Sequence, residues 1–243
     1  MVFVNILIEK EGLRLEIAEN KSSLYALGTF YEYSEVTMTR YRGAKNRIAR
    51  KFGINIFGRT KNPLAHKPHA PGMHGTKRKK QSDYGLQLHE KQKLKAVYGM
   101  ISEAQLRKYF TEASRRHQET PELLMQMLEC RLDVVVFRLR FASTIFAAQQ
   151  LVSHGHVMVN GKKVTIRSFQ VRPGMVISIK EKSKNCKAVV ESIKNANRSV
   201  PEYMECNEGD LSGKLLVLPT IASISLPIDI NIPMVCDFIA HSG

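Results

Sequence analysis

A segment rich in glycine and lysine near the middle of the chain is the first place where residue types and spacing could do chemistry. Gly155, Gly161 and Lys162 superficially suggest a phosphate-binding loop. Such a loop needs four residues between its glycines and a serine or threonine after its lysine, whereas this chain has five residues and Lys163. Asn160-Gly161, between VMV and VTI, is instead a strong hairpin signal, because both central residues of such a turn need positive φ. We therefore predict a β-hairpin with two lysines at its exposed end.

Elsewhere in the sequence, the histidines and carboxylates form no arrangement that is typical of a catalytic site. His66, His69 and His74 form a loose cluster without a neighbouring cysteine or carboxylate, which favours loop packing or RNA contact over metal binding. Asp133 follows Arg131 too closely to face it across a helix, and it has no second carboxylate for acid–base work, so we predict a structural ion pair or a helix cap. The sequence predicts no catalytic residue, no metal site and no cofactor.

The excess of basic residues is the strongest functional signal. Lys and Arg number 37 against 22 Asp and Glu, a net charge of +15, and residues 38–95 alone hold 16 basic and 2 acidic residues. Basic side chains neutralise phosphates, and the arginine fork also fits phosphate oxygens and stacks on bases. The sequence thus predicts a nucleic-acid partner. With no dimer signal and no evident recognition helix, folded RNA is favoured over DNA.

Residues 131–181 are predicted to position part of this charge on a compact module of two short helices, a hairpin and one more strand. Ser143 is expected to cap the second helix, and Gly155 to end it. The first helix has one apolar stripe at helical spacing, formed by Leu132, Val135, Val136 and Leu139.

The flanking segments complete an α+β fold: a helical domain with an inserted small RNA-binding module (two helices plus a small antiparallel sheet) and a largely irregular basic N-terminal arm. We assign residues 38–81 to the arm, 131–182 to the module, and 82–130 plus 183–243 to the helical domain. A capping-box spacing at Ser102–Gln105 and the pair Thr120-Pro121 predict two helix starts. The apolar stretch after Gly213 is expected to pack on the helical region.

Several classes of protein are disfavoured by what the sequence contains. The four cysteines form no Cys-x-x-Cys pair, which argues against a zinc site or a disulfide framework and favours a reducing, cytoplasmic compartment. No run approaches the roughly 18 apolar residues of a membrane span, so no membrane partner is predicted. Residues 1–37 are acidic and differ from the rest, which suggests an extension or a misassigned start before Met38.

Specific blocks resemble a known family. RLDVVVFRLRFAST, QLVSHGHVMVNGKKV and VRPGMVISIKEKS resemble the S4 RNA-binding domain. The blocks MTRYRGAKNRIARKFG, APGMHG, SDYGLQLHEKQKLKAVYG and LLMQMLECRLD are similar to the bacterial and organellar family of small-subunit ribosomal protein S4. The resemblance covers Met38 to about residue 232.

The resemblance implies a primary rRNA-binding protein that contacts a junction in the five-prime domain of small-subunit ribosomal RNA and nucleates assembly of the subunit body. It also implies neighbouring ribosomal proteins, including those of the accuracy centre, as partners, and the protein's own mRNA as a further one. The chain departs from the family in lacking arm cysteines for zinc and in having Ile145 and Gln149 where arginines are common. The residues we predict to contact RNA are Arg40, Arg42, Lys45, Arg47, Arg50, Lys51, Lys77, Arg78, Lys79, Lys80, Lys91, Lys93, Arg131, Arg138, Arg140, His154, His156, Lys162 and Lys163.

Two other carriers of the same module are alternatives. An RNA-modifying enzyme would need a further catalytic domain, but only 61 residues follow Lys182, and Asp210 and Asp229 lie in no recognisable catalytic frame. A stress-response RNA chaperone would be shorter and would lack the basic arm. A structural RNA-binding protein of the ribosome is therefore the leading hypothesis.

Overall fold

The computed structural model of the chain describes residues 41–59, 61–77, 80–116, 118–194 and 199–241. The predicted RNA contacts Arg40, Arg78 and Lys79, and the extension predicted at residues 1–37, lie outside these ranges. From Tyr41 onward the chain forms one compact unit. The helices α1 to α9 and strands β1 to β5 are α1 (Lys45–Phe52), α2 (Pro63–His66), α3 (Asp83–Val97), α4 (Glu103–Ser114), α5 (Thr120–Glu129), α6 (Leu132–Arg138), α7 (Ile145–Ser153), β1 (Val157–Val159), β2 (Lys162–Lys163), β3 (Val176–Ile179), α8 (Lys187–Lys194), β4 (Met204–Asn207), β5 (Ser212–Leu215) and α9 (Ile232–His241).

The helical region consists of α3, α4, α5 and α9 around one apolar core. Local sequence signals fix where its helices begin. The Ser102 hydroxyl accepts a hydrogen bond from the Gln105 amide at 3.3 Å, and Pro121 occupies the first turn of α5. Both predicted helix starts are therefore confirmed. No helix in the described ranges has the length and apolar character needed to cross a membrane.

Helix α6 lies between two cores. Leu132, Val135 and Val136 face the core of the module, whereas Val134 faces the core of the helical region. The predicted stripe is buried, but the opposite side of the helix is buried as well. A helix with apolar residues on both sides needs cover on both, and here two sets of elements provide it.

The module has the predicted hairpin. Asn160 and Gly161 have φ of +47° and +77°, and β1 pairs with β2 in antiparallel register, Val159 opposite Lys162. The position predicted for the second strand is wrong, however: the strand is Lys162–Lys163, directly after the two-residue turn, and residues 164–166 lie outside it. The predicted helix cap is off by one residue, because the Thr144 hydroxyl, and not that of Ser143, accepts the Ala147 amide at 3.2 Å.

The sheet of the module is larger than the sequence suggested. Its order is β2-β1-β3-β5-β4, with every neighbouring pair antiparallel. Residues 204–215, which we assigned with the rest of 183–243 to the helical domain, therefore lie in the module's sheet. The physical reason is that β3 would otherwise be an unpaired edge, and β5 supplies its partner. Residues 228–239 do pack in the helical core.

The basic arm is more ordered than predicted. It contains the eight-residue helix α1 and the short helix α2. Ile56 and Phe57 are buried in the core of the helical region, and Ala49 of α1 is also buried. Phe52 packs edge-on against His89 of α3 at 5.0 Å between ring centroids. These few apolar residues are enough to attach the arm to the folded body.

Candidate nucleic-acid interface

Helix α1 and the residues just before it present one exposed group of predicted RNA contacts. Its buried residue Ala49 faces the body, while Arg47 and Lys51, together with Arg42 just before the helix, are exposed. Lys51 in the last turn also complements the negative end of the helix dipole. Arginine and lysine side chains held on one short helix can neutralise neighbouring phosphates of a folded RNA.

Arg50, on the same helix, holds the arm's own backbone. Its Nε donates to the carbonyls of Lys67 and His69 at 3.2 and 3.0 Å, and its Nη2 donates to the carbonyl of Ala70 at 3.3 Å. The guanidinium therefore fixes the loop after α2 against α1. The structure thus gives Arg50 a positioning role, and the phosphate contact that we predicted for it stays a prediction.

The loop that Arg50 holds leads to further exposed cations. Lys77 and Lys80 are both exposed, as are the three histidines of the loose cluster predicted from sequence. Within the described ranges, no group of three or more His, Cys, Asp or Glu residues could hold a metal ion.

The hairpin tip is a second exposed cationic point. Lys162 and Lys163 are exposed, and the aliphatic stem of Lys163 lies over Gly155, where a Cβ would meet Lys163 Cε at 2.1 Å. The exposed lysine stem could move aside, so it is the φ of +73°, in the left-handed region, that explains glycine at position 155. His154 is exposed, whereas His156 is half-buried and its Nδ1 lies 2.8 Å from Ser183 Oγ.

Arg131 is not available to RNA. Its side chain is 4% exposed; Nε and Nη2 donate to the two Asp133 oxygens at 3.0 and 2.8 Å, and Nη1 donates to the Tyr109 hydroxyl at 3.0 Å. Burial opposes the charge of Arg131, but Asp133 more than compensates and raises the pKa of the guanidinium. The ion pair predicted for Asp133 is confirmed, but its partner is Arg131, which we expected to be too close in sequence; Arg131 precedes the helix instead of lying across it. The RNA contact predicted for Arg131 is contradicted by its burial.

Arg138 is also engaged inside the protein. It donates to the buried Glu129 carboxylate through Nη2 at 2.7 Å and Nε at 3.1 Å, and its Nη1 donates to the carbonyl of Ser225 at 2.9 Å. The hydroxyls of Tyr98 and Tyr203 donate to the same carboxylate at 2.7 and 3.2 Å. Burial, and then the charge of Glu129, raise the pKa of Tyr98 well above its usual value. This network joins the helical region to the module. We predicted that Arg138 contacts RNA, but its side chain is engaged in this network and is not presented to solvent.

Three other predicted contacts are paired or covered. Lys91 is buried over the Phe238 ring and binds Glu103 at 2.7 Å, Lys93 binds Glu90 at 2.6 Å, and Arg140 binds Glu208 at 2.9 Å. Burial alone would raise the pKa of Glu103, but hydrogen bonds from Lys91 and Lys95 hold it below its ordinary value. These carboxylates explain why the basic side chains of α3 do not form an open phosphate-binding face.

Ile145 and Gln149 occupy the face of α7 that packs against the helical region. Ile145 is buried, and the Gln149 amide donates to the carbonyl of Gly99 at 3.2 Å. A Cβ on Gly99 would lie 2.5 Å from the Gln149 nitrogen, so the helix approaches this turn closely. This face of α7 is therefore an internal contact with the helical region.

Some exposed basic residues were not singled out from the sequence. Arg59, Lys61 and Lys67 are exposed along the arm, and Arg172 is exposed in the turn before β3. Arg59 also donates to the Asn46 side chain at 2.8 Å, which links it to α1. The only sequence signal for the arm residues is their position within the segment of highest positive charge.

Comparisons with known proteins agree with this architecture. A family model described as the ribosomal protein S4/S9 N-terminal domain matches residues 40–129, and an S4 domain model matches residues 130–177. Small ribosomal subunit protein uS4 of Protochlamydia amoebophila is 58% identical over 205 residues, which cover 84% of this chain and 100% of that protein. The chain belongs to the uS4 family.

Two further relatives give the same result within the family. The uS4 proteins of Chlamydia caviae and of Chlamydia trachomatis serovar L2 are each 56% identical over 207 residues, which cover 84% of this chain and 99% of theirs. The two family models meet between Glu129 and Cys130, directly before α6. Glu129 thus lies at the end of one matched domain, while the arginine that it binds, Arg138, lies in the other.

Proposed function

We propose that this protein is a structural constituent of the small ribosomal subunit that binds the subunit's RNA directly and has no catalytic role. In this proposal it binds a junction in the five-prime domain of the RNA, nucleates assembly of the subunit body and contributes to translational accuracy with neighbouring proteins of the accuracy centre. It acts in cytoplasmic ribosomes, and its own mRNA is a secondary RNA partner.

The observation that carries the proposal is the separation between engaged and exposed basic residues in a member of the uS4 family. Arg131, Arg138 and Lys91 form ion pairs with carboxylates of the protein itself. The exposed predicted contacts are concentrated at α1, the loop that Arg50 holds, and the hairpin tip. A folded body with cations at separate places suits a large structured RNA, whose phosphates lie at fixed relative positions.

The test is a salt-dependent binding titration of the full chain onto a five-prime-domain fragment of small-subunit rRNA and onto transfer RNA. We expect clearly tighter binding to the rRNA fragment at physiological salt. Replacing Arg42, Arg47 and Lys51 together by alanine should weaken binding and reduce the slope of log affinity against log salt by about 2–3, since each phosphate contact contributes about 0.7–0.9.

A matched control removes three exposed cations from elements outside the predicted surface. Lys108, Arg115 and Lys214 are exposed, and alanine there causes the same loss of charge. We expect only a small change in slope for this variant. Equal affinity for the two RNAs would contradict the proposed junction, and equal slope losses in the two triple variants would contradict the assignment of α1 to the interface.

A further inference from the structure

Helix α1 and the segment after it both contact one aromatic ring of the module, that of Phe146 on α7. Lys45 Nζ lies 3.7 Å from the centroid of this ring, a cation–π distance. Phe57 packs against the same ring at 5.0 Å between centroids, with an interplanar angle of 54°. The ring therefore touches both the beginning of α1 and the loop that follows the helix.

These contacts lie on the opposite side of the arm from its exposed cations. Ala49 is 1% exposed and Phe57 is 2% exposed, while Arg47 and Lys51 point to solvent. Phe52 gives a second contact through its ring against His89 on α3. The arm is thus attached to α3 and to Phe146 of α7, and both contacts belong to the core of the helical region.

We propose that Phe146 is a positioning residue for RNA binding: it fixes the direction in which α1 presents Arg42, Arg47 and Lys51. This inference rests on the proposed function, because it assigns a role within the same interface. Phe146 touches no phosphate in this proposal. Because Phe146 fixes the arm before RNA binds, the arm loses less conformational entropy on binding and the affinity rises. The number of counterions released from the RNA stays the same.

This role has a signature that differs from loss of a direct contact. If the arm loses its contact with Phe146, it is still covalently joined to the folded body and can still reach its phosphates. The salt slope should therefore stay unchanged while the affinity falls. We expect Phe146→Ala to weaken rRNA binding on the order of tenfold, from the cost of ordering a few long side chains and their helix at the moment of binding. Phe146→Tyr retains the ring and should bind like the unmodified protein.

The decisive experiment is a double-mutant cycle on the full chain, with the five-prime-domain rRNA fragment as the probe. Phe146→Ala is measured alone and in the background of Arg42→Ala, Arg47→Ala and Lys51→Ala. If Phe146 acts by positioning those cations, its effect disappears once they are gone. An equal loss in both backgrounds, or no loss in either, would overturn the proposal.

A structural readout on the free protein accompanies the cycle. Amide hydrogen exchange of residues 45–57 should become faster in Phe146→Ala and stay unchanged in Phe146→Tyr. Phe169→Ala is the size-matched control, because Phe169 is partly buried against the core of the module and belongs to neither contact of the arm. If Phe146→Ala does not fold, Phe146→Leu keeps apolar volume in the core but removes the ring face, and the same cycle applies.

The two proposals can fail separately. Failure of the unmodified protein to prefer the rRNA fragment, or an unchanged slope in the triple variant, counts against the interface itself. A preference and a slope loss as expected, combined with a Phe146 effect that survives in the triple background, count against positioning alone.

Discussion

At the scale of single residues, Glu129 and Asp133 decide which arginines can reach RNA. Glu129 is fully buried and accepts hydrogen bonds from Arg138 and two tyrosines, and Asp133 is fully buried and accepts two from Arg131. A buried carboxylate needs such partners, because an unpaired charge in the protein interior is unfavourable by several kcal/mol. Each arginine is therefore committed to a carboxylate, and the two pairs fasten the module.

Replacing Glu129 by glutamine tests the energetic role of this network. The substitution keeps the shape of the side chain but leaves the charge of Arg138 largely uncompensated. We expect the free energy of unfolding to fall by about 3 kcal/mol, measured by urea denaturation. Glu208→Gln is the control, since the Arg140–Glu208 pair has an exposed carboxylate, and should cost less than about 1 kcal/mol. Similar losses in the two variants would contradict the proposed importance of Glu129.

Buried thiols predict how stability depends on alkaline pH. Burial, and then the charge of Glu129, raise the pKa of Cys130 from 9.0 to about 12, while burial, and then Asp237, raise that of Cys236 to about 11. The unfolded chain releases these protons near pH 9 while the folded protein keeps them. Stability from this source is therefore fully present below pH 9 and is lost as pH rises towards 11 and 12.

Denaturation at pH 8, 9, 10 and 10.5 measures this dependence. Each thiol should lower the free energy of unfolding by about 1.4 kcal/mol per pH unit between its two pKa values. The variant with Cys130→Ala and Cys236→Ala starts from lower stability but should lose less of it above pH 9. Parallel curves for the variant and the unmodified protein would show that the thiols do not titrate in this way.

At the scale of elements, local sequence signals were sufficient to predict the hairpin and a helix start. The pairing of strands that are distant in the sequence could not be predicted in this way. Asn160-Gly161 predicted the hairpin, and Thr120-Pro121 predicted a helix start, because the physical cause lies within those few residues. The pairing of β3 with β5 joins Ile177 to Gly213, far apart in sequence, and no local pattern encodes it. Arg138 resembled an RNA contact for the same reason, since its partner Ser225 is distant along the chain and Glu129 lies in another helix.

The membership of β5 in the module predicts a specific packing defect. A Cβ on Gly213 would meet Leu139 Cδ2 at 2.5 Å and the carbonyl oxygen of Glu205 at 3.0 Å, and Leu139 is fully buried. We expect Gly213→Ala to lower the free energy of unfolding by about 1–3 kcal/mol through overpacking. Gly209→Ala, in the exposed turn between β4 and β5, has only a 3.4 Å neighbour and should change stability little. Thermal unfolding monitored by far-ultraviolet circular dichroism compares the two, and equal stability would argue against close packing of β5 on α6.

At the scale of the whole molecule, the chain shares elements between its two cores instead of joining two independent domains. Helix α6 contributes Val134 to one core and Val135 to the other. Glu129, at the end of α5, binds Arg138 of α6 and Tyr203 just before β4. The chain also leaves the module after β5 and returns to the helical core with α9. Because several covalent and polar links cross the boundary between the two cores, this boundary has no natural hinge.

Shared elements predict that the helical region and the module unfold together. In native-state hydrogen exchange under increasing denaturant, amides of α4 and α5 and amides of β1, β3 and β5 should converge on the same opening free energy. The arm should open earlier, because only a few apolar side chains attach it. Glu129→Gln should lower the common value in both regions at once, whereas Gly209→Ala should lower it in neither. Exchange of the sheet through a separate, less stable opening, with α4 and α5 still protected, would show that the module behaves as an independent domain and that the Glu129 network does not couple the two cores.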